Sequence, residues 1–242
     1  MQLHSVSHSF GAEQILNSVD LSVENGERIA IVGPSGQGKS TLLKIMAGLL
    51  VASRGRVEIE GADFHKLSHE QRQKLRCRMG MLFQKNALFD SLHVGENIAF
   101  PLREVTKQSE QEIETLVVKG LESVGILHAK DLYPDEMSGG MQKRLGIARA
   151  QALNPDFLFY DDPTAGLDPI TSRKIIDLII DLQEKKKATI VVVTNEMARA
   201  FQVGHRVWYV GDREVFDLGT PEQARETKNP KIRAFLRGEV SP

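Results

Sequence analysis

The chain is nearly free of cysteine, since Cys77 is the only one among its 242 residues. A single thiol can form neither an internal disulfide nor a site in which two thiolates bind one metal ion. Structural disulfides are typical of oxidising compartments, whereas a lone thiol is compatible with a reducing one. The cysteine content therefore favours a cytoplasmic location.

Long apolar runs are also missing. No stretch approaches the roughly 18 consecutive apolar residues that would indicate a bilayer-spanning helix. Residues 1–10 show no basic stretch followed by an apolar core. We therefore expect neither a membrane span nor a secretory signal. Any role at a membrane would then have to come through a partner protein.

A surplus of positive charge is absent as well. The formal net charge is -1 and the isoelectric point is near 6.7. Little positive charge is therefore available to neutralise a phosphate backbone. This balance disfavours generic nucleic-acid binding, and we expect no nucleic-acid partner. A hydrophobic fraction of 41% is ordinary for a globular protein. Because no composition break divides the chain, we expect residues 1–242 to form a single domain.

Short β-branched runs alternate with amphipathic stretches, which is typical of an α/β fold with a parallel sheet covered on both faces. Polar and apolar residues alternate instead in 19–23 and 56–60, which favours a small antiparallel β layer near the N-terminus. The predicted strands of the parallel sheet are 28–32, 80–83, 157–160, 189–193 and 206–210.

The interval 85–153 has no strong strand pattern, so we predict a mostly helical subdomain inserted into the sheet domain. Its clearest helix lies within 109–124, where Ser109 and Glu112 have capping-box spacing and apolar residues form one stripe. Near the C-terminus, Thr220 and the proline after it indicate another helix start. We predict a solvated helical tail over 220–242.

The segment 33–40 reads GPSGQGKS and matches the phosphate-binding pattern G-x-x-x-x-G-K-[ST] in full. It follows a predicted strand and precedes a predicted helix that runs to Leu49, which disfavours an ordinary glycine turn without a ligand. In such a P-loop, backbone N–H groups and the helix N-terminus point at phosphates. We predict that Lys39 reaches the β and γ phosphates of a nucleotide and that the Ser40 hydroxyl coordinates Mg²⁺. The candidate nucleotide-binding residues here are Gly33, Pro34, Ser35, Gly36, Gln37, Gly38, Lys39, Ser40 and Thr41.

Residues 138–142, SGGMQ, resemble the signature motif of ATP-binding-cassette (ABC) proteins. They open a predicted helix over 141–153, where exposed N–H groups and a serine hydroxyl could hold an anion. Ser-Gly-Gly alone is a common turn, and its position relative to the other motifs gives it weight. The resemblance implies an ATP ligand and a head-to-tail dimer in which Ser138, Gly139 and Gly140 contact the γ-phosphate held by a second copy of the chain.

Residues 157–163, FLFYDDP, resemble the Walker B element of the same family. The resemblance implies a P-loop NTPase fold of the RecA-like type, with Asp161 as a ligand of Mg²⁺. It also implies that Asp162 is the catalytic carboxylate, which orients the attacking water. Two adjacent acids at a strand end are often only a solvated turn, but the two upstream motifs favour the catalytic interpretation.

Three more residues match motifs of ABC proteins. The resemblance to this family extends over about residues 3–219. Gln84 matches the Q-loop residue that contacts Mg²⁺ and the attacking water and connects to the membrane subunit. Asp168 matches the D-loop, which contacts the opposing subunit at the nucleotide, and Phe10 matches the aromatic residue that stacks on adenine. For Phe10 a position in the core remains the alternative, because an aromatic ring buries well anywhere.

Two of the candidate catalytic residues depart from the ABC pattern. The family usually has glutamate where this chain has Asp162, and histidine in the γ-phosphate switch where this chain has Asn195. Aspartate is one methylene shorter, and asparagine cannot become cationic. We therefore place Asp162 and Asn195, with Lys39 and Gln84, among the catalytic candidates of a slow ATPase. A regulatory subunit that binds ATP but barely hydrolyses it is the alternative.

The segments 80–89, 96–104, 166–171 and 231–236 resemble the ATPase of bacterial Mla-type phospholipid transporters, and SGGM at 138–141 fits that subfamily too. This resemblance implies a subunit at the cytoplasmic face of the inner membrane that powers phospholipid transport through a separate permease. An MCE-type lipid-binding protein and a small STAS-domain protein are the further partners that it implies. Leu88 and Phe89, just after the Q-loop, either line an apolar groove for a permease helix or fill the helical subdomain's core.

Two other functions remain open at the level of sequence. The ATPase of another ABC importer, for example one for amino acids, would share all of the nucleotide motifs. A cassette protein of translation or DNA repair would share them too, but such proteins usually carry paired cassettes or a long coiled coil. This chain has neither feature.

Overall fold

The computed structural model describes residues 1–238. The last four residues of the predicted tail, 239–242, lie outside the described residues. The strands are β1 (Gln2–Phe10), β2 (Glu13–Ser22), β3 (Arg28–Val32), β4 (Arg54–Ile59), β5 (Ala62–Asp63), β6 (Met79–Leu82), β7 (Phe157–Asp161), β8 (Thr189–Val193), β9 (Arg206–Gly211) and β10 (Glu214–Asp217). The helices are α1 (Lys39–Met46), α2 (His69–Cys77), α3 (Val94–Val105), α4 (Glu110–Ser123), α5 (Gly139–Gln151), α6 (Pro169–Lys186), α7 (Met197–Val203), α8 (Pro221–Arg225) and α9 (Pro230–Leu236).

The chain divides into two compact units, the first made of 1–74 with the part from 189 onward, the second of 75–188. In the first unit, β2, β1, β4 and β5 form an antiparallel sheet in that order. The antiparallel layer predicted near the N-terminus is thus confirmed, but sequence reading missed β1. Register shifts interrupt the pairing of β1, and Ser5 has a φ of 47°, so the polar–apolar alternation is broken.

A second sheet of the first unit holds the apolar strands. Here β3 lies between β8 and β9 and is parallel to both, while β10 pairs antiparallel with β9 at the edge. Every residue of β8 is buried, as expected for a strand covered on both faces. Strands 28–32 and 189–193 have the predicted bounds, and β9 ends one residue later than predicted.

The second unit pairs β6 with β7 in parallel, with Met81 opposite Phe159. Between these strands the chain forms α3, α4 and α5, and residues 85–153, all of which are described, include no strand. Ser109 caps α4, because its hydroxyl accepts from the Glu112 N–H while the Glu112 carboxylate accepts from the Ser109 N–H. The capping box read from the sequence is therefore present.

The tail contains two short helices, each opened by a side-chain cap. Thr220 caps α8 and Asn229 caps α9, which satisfies N–H groups that helix starts leave unpaired. Within residues 1–238, no helix has both the length and the apolar character that a bilayer crossing requires.

Candidate functional site

The P-loop of the first unit depends on two glycines that no other residue can replace without strain. Gly33 follows β3 with a φ of 145°, and a Cβ there would lie 2.0 Å from the carbonyl oxygen of Val210. Gly38 has a φ of 96°, and a Cβ there would lie 2.6 Å from Cγ2 of Ile15. The backbone of the loop is thus curled in the way that the motif predicts.

Lys39 lies inside this loop. It is the first residue of α1 and only 6% exposed, and its Nζ donates to the carbonyl oxygens of Gly33 at 2.7 Å and Pro34 at 2.8 Å. A cation held among turned backbone groups at a helix start matches the chemistry of a phosphate site. The loop residues 34–36 are exposed, so a ligand can approach them.

The helix after the loop is shorter than predicted, ending at Met46 instead of Leu49. Gly48 has a φ of 66°, and a Cβ at that position would lie 2.4 Å from the ring of Phe64. The left-handed glycine stops the helix, and the ring of Phe64 occupies the space beside it.

A cleft of 470 Å³ opens beside the P-loop in the first unit, and Phe10 is not one of its lining residues. Phe10, at the end of β1, is 54% exposed and meets the ring of His8 edge to face at 4.7 Å. The core position considered for Phe10 is therefore wrong, whereas its stacking on adenine stays a prediction. The cleft is lined by Glu13, Gln14, Ile15, Gly36, Gln37, Asp212 and Arg213.

Asn195 belongs to the same unit as the P-loop. It lies two residues after the end of β8, in a turn where the hydroxyl of Thr194 accepts from the N–H of Glu196 at 3.1 Å. Asn195 is exposed, whereas Thr194 is fully buried. The turn thus presents the asparagine at the surface of the first unit.

In the second unit, the buried strand β7 ends in the two acidic residues. Asp161 is its last residue, one position beyond the predicted end, and Asp162 leaves the strand with a φ of 48°. Both side chains are buried, Asp162 being 8% exposed. A buried pair of carboxylates requires hydrogen bonds or cations to offset its desolvation, so a solvated turn does not describe this site.

The signature residues start α5, which begins at Gly139, two residues before the predicted start. Ser138 caps the helix, its hydroxyl accepting from the N–H of Met141 at 3.3 Å. A Cβ on Gly140 would lie 3.0 Å from Cγ2 of Thr171, and one on Gly139 would lie 3.5 Å from Leu167. The signature therefore lies beside the D-loop end of α6.

Asp168 caps α6. Its Oδ1 accepts from the N–H groups of Ile170 and Thr171, both at 3.0 Å. The hydrogen bonds from Thr171 hold the pKa of the Asp168 carboxyl below its ordinary value. Asp168 is thus an N-cap residue in the structure, and its contact with nucleotide stays a prediction.

Gln84 lies two residues after β6, with an exposed side chain. Its carbonyl oxygen accepts from the Nζ of Lys143 at 2.6 Å. Lys143 is a residue that sequence reasoning missed: it lies in α5 yet is only 4% exposed. Burial lowers the pKa of the Lys143 ammonium, while the nearby carboxylates of Asp162 and Asp161 oppose that shift.

An apolar cleft of 400 Å³ lies beside the segment that follows Gln84. Phe89 is 41% exposed, its ring centroid is 5.0 Å from that of Phe100, and the guanidinium of Arg149 lies over it at 5.4 Å. Of the two alternatives considered for Leu88 and Phe89, lining an apolar groove holds for Phe89 but not for Leu88. The lining residues are Met79, Gly80, Met81, Phe83, Ala87, Phe89, Phe100, Pro101, Arg149, Ala150 and Leu153.

Known proteins resemble this chain over nearly its whole length. Residues 16–165 match the family model described as ABC transporter. The intermembrane phospholipid transport system ATP-binding protein MlaF of Haemophilus influenzae is 37% identical over 239 residues, which cover 99% of this chain and 90% of that protein. The probable ribonucleotide transport ATP-binding protein mkl of Mycobacterium leprae is 37% identical over 98% of this chain and 69% of that protein.

Solved structures agree with these relatives. The dimeric post-hydrolysis state of the ATP-binding cassette MJ0796 bound to ADP and Pi has a TM-score of 0.82 at 33% identity, covering 90% of this chain and 97% of that chain. The structure of cbiO1 from Clostridium perfringens has a TM-score of 0.84 at 29% identity, covering 98% and 94%. The predicted P-loop NTPase fold is thereby confirmed. The chain belongs to the ABC transporter family, as one of its ATP-binding and ATP-hydrolysing cassettes.

Proposed function

We propose that this cassette powers phospholipid transport between bacterial membranes through a separate permease. The observation that carries the proposal is the 37% identity to a phospholipid-transport ATP-binding protein over 99% of the chain. Such a role would place the chain at the cytoplasmic face of the inner membrane. An MCE-type lipid-binding protein and a small STAS-domain protein would complete the transporter.

Each side chain of the proposed nucleotide site would have a role that suits its chemistry. Lys39 and the N–H groups of the P-loop would bind the phosphates, and Phe10 would stack on the base. Asp162 would orient the attacking water, with Gln84 and Asn195 as polar partners of the water and the γ-phosphate.

A magnesium ion fits the donor set of this site. The Ser40 hydroxyl, the Gln84 amide oxygen and the Asp161 carboxylate are hard oxygen donors, the kind that Mg²⁺ prefers. The buried carboxylate of Asp161, at the end of β7, is the strongest support for a cation here. The ion would supply positive charge against the phosphate oxygens.

We propose that two copies of the chain bind head to tail around ATP. Ser138, Gly139 and Gly140 would bind the γ-phosphate held by the partner, since the N–H groups at a helix start favour an anion. The dimeric state of the related cassette MJ0796 supports this arrangement.

The apolar cleft beside Phe89 and Phe100 is the proposed site for a helix of the permease. Exposed aromatic rings in a groove of 400 Å³ match the helix-in-groove mode of recognition. The cleft begins next to Gln84. A bound permease helix would therefore contact the segment that carries Gln84, a catalytic candidate.

The domain organisation remains part of this proposal. We take 1–242 as one cassette, with the helices of 85–153 as its helical subdomain and 220–242 as its C-terminal tail. Limited proteolysis tests it: a single cassette should yield no stable fragment that separates 85–153 from the rest under native conditions, and release of such a fragment contradicts it.

A different cargo is the second candidate function, because the mkl relative is named for ribonucleotide transport at the same 37% identity. The deciding experiment purifies the tagged chain with its membrane partners and reconstitutes the complex in vesicles. We expect ATP-dependent transfer of fluorescent phospholipid, absent with Lys39→Ala, and no uptake of labelled ribonucleotide. Ribonucleotide uptake without lipid transfer would contradict the phospholipid assignment.

A further inference from the structure

Lys143 is a buried cation on the signature helix. Its side chain is 4% exposed, and it shares the inner side of α5 with Ile147, one helical turn further on, which is fully buried. Burying an ammonium is costly unless it finds oxygen partners. An apolar residue at this position would fill the space without that cost.

The partners of Lys143 come from two other segments of the second unit. Its Nζ donates to the carbonyl oxygen of Gln84 at 2.6 Å. It also lies within electrostatic reach of the carboxylates of Asp162 and Asp161. One side chain from α5 thus hydrogen-bonds to the main chain of the Q-loop and is attracted by the negative charge at the end of β7.

The Q-loop has a backbone that requires such an anchor. Asn86 and Ala87 both have positive φ, 61° and 51°, a conformation that non-glycine residues rarely adopt and that surrounding contacts must hold. Arg149, also on α5, donates to the carbonyl oxygen of Asn86 at 3.1 Å. Two cations of the signature helix therefore hold the two ends of the segment 84–86.

We propose that Lys143 is a positioning residue for ATP hydrolysis, which fixes Gln84 through its carbonyl group and connects the signature helix with Asp161 and Asp162. The inference rests on the proposed roles of Gln84, Asp161 and Asp162. Lys143 itself contacts neither nucleotide nor water in this account. Its effect is to hold the Q-loop main chain in a fixed position relative to the carboxylates of Asp161 and Asp162.

The test compares two cations of the same helix. Arg144 is the matched control, because it also lies in α5 and donates to a backbone carbonyl, that of Val124, at the same distance of 2.6 Å. The variants Lys143→Met and Arg144→Met each remove one such bond. Phosphate release by the full-length chain gives kcat and KM for MgATP, and thermal unfolding gives Tm.

We expect Lys143→Met to lower kcat by about tenfold to a hundredfold, since displacing a catalytic group by about 1 Å has an effect of that size. KM should stay within about twofold, because the phosphate-binding loop is untouched. Lys143→Arg, which keeps a charged donor, should recover most of kcat. Arg144→Met should lower Tm without lowering kcat.

An equal loss of kcat in Lys143→Met and Arg144→Met, or no loss in either, overturns the proposal. If Lys143→Met does not fold, Lys143→Gln serves in its place, and full activity of that shorter, neutral variant contradicts the proposal equally. Gln84→Ala and Asp162→Asn are measured in parallel. Should both of these keep full kcat, the proposed site is wrong; should both lose kcat while Lys143→Met does not, only the role of Lys143 fails.

Discussion

Asp162 directly follows Asp161 in the chain, yet its backbone turns from the extended strand β7 into the left-handed region, with a φ of 48°. Aspartate and asparagine adopt this region several times more readily than most residues. The two buried carboxylates therefore differ in backbone as well as in proposed role: Asp161 ends the strand, and Asp162 begins the turn that contains Pro163.

The first prediction concerns the length of the Asp162 side chain. We expect Asp162→Glu to raise kcat by about tenfold, or roughly 1.4 kcal/mol in the barrier, because the added methylene extends the carboxylate toward the water. The same variant should unfold about 2–4 °C earlier, because glutamate fits the left-handed backbone less well by about 1 kcal/mol. Phosphate release and calorimetry measure the two effects separately.

Asp162→Asn is the matched control, since asparagine keeps the backbone preference and loses the charge. It should retain ATP affinity while kcat falls by about 10² or more. A lower kcat in Asp162→Glu would show that the turn is adapted to aspartate and would reject the argument from reach.

The second prediction concerns the cation of the P-loop. Lys39→Ala should weaken MgATP binding by about 10- to 100-fold, because a hydrogen bond to a charged group contributes about 1.5–3 kcal/mol. Isothermal calorimetry on the full chain measures this. Lys44→Ala, in the last turn of the same helix, is the control and should bind normally; equal affinities of Lys39→Ala and the unchanged chain contradict the phosphate-site assignment.

The third prediction concerns the cap of α6. Because hydrogen bonds lower the pKa of Asp168 in the folded chain, its stabilising contribution is fully present above the unfolded pKa, about 3.9. That contribution is lost as the pH falls through the lower folded pKa. Asp168→Ala should therefore lower Tm at pH 7 and change it little at strongly acidic pH. Asp168→Asn, which still caps the helix, should resemble the unchanged chain at pH 7; an equal loss of Tm in both variants contradicts a capping role.

The fourth prediction concerns the apolar cleft. Phe100→Asp places a charge in the proposed permease groove, where desolvating it opposes binding. We expect the variant to lose the permease on affinity purification while its Tm stays within about 2 °C, since the ring is half exposed. Val105→Asp, at an exposed position outside the cleft, is the control. Retention of the permease by Phe100→Asp would place its binding surface elsewhere.

Sequence alone was sufficient for features fixed by local patterns. The P-loop follows from eight consecutive residues, and the capping box at Ser109 and Glu112 from a spacing of three. Helix ends set by distant contacts were not predictable. The end of α1 at Met46 depends on Gly48, whose open side is occupied by the ring of Phe64.

Lys143 could not be found from sequence for a related reason. Helical periodicity counts lysine as a surface residue, whereas this one turns inward to a carbonyl group 59 positions earlier in the chain. Likewise, the sequence shows only that the Asp162 side chain is shorter than glutamate, because no sequence pattern indicates its left-handed backbone. Such contacts depend on tertiary structure.

The most direct test of the account is phosphate release by the assembled transporter, measured side by side with the same complex carrying Lys39→Ala. We predict sustained, ATP-dependent release from the unchanged complex and a rate at least about tenfold lower from the variant, since a lost charged contact to the phosphates has that effect. Equal rates in the two complexes would contradict the assignment of this chain as the hydrolysing cassette with its phosphate site at Lys39.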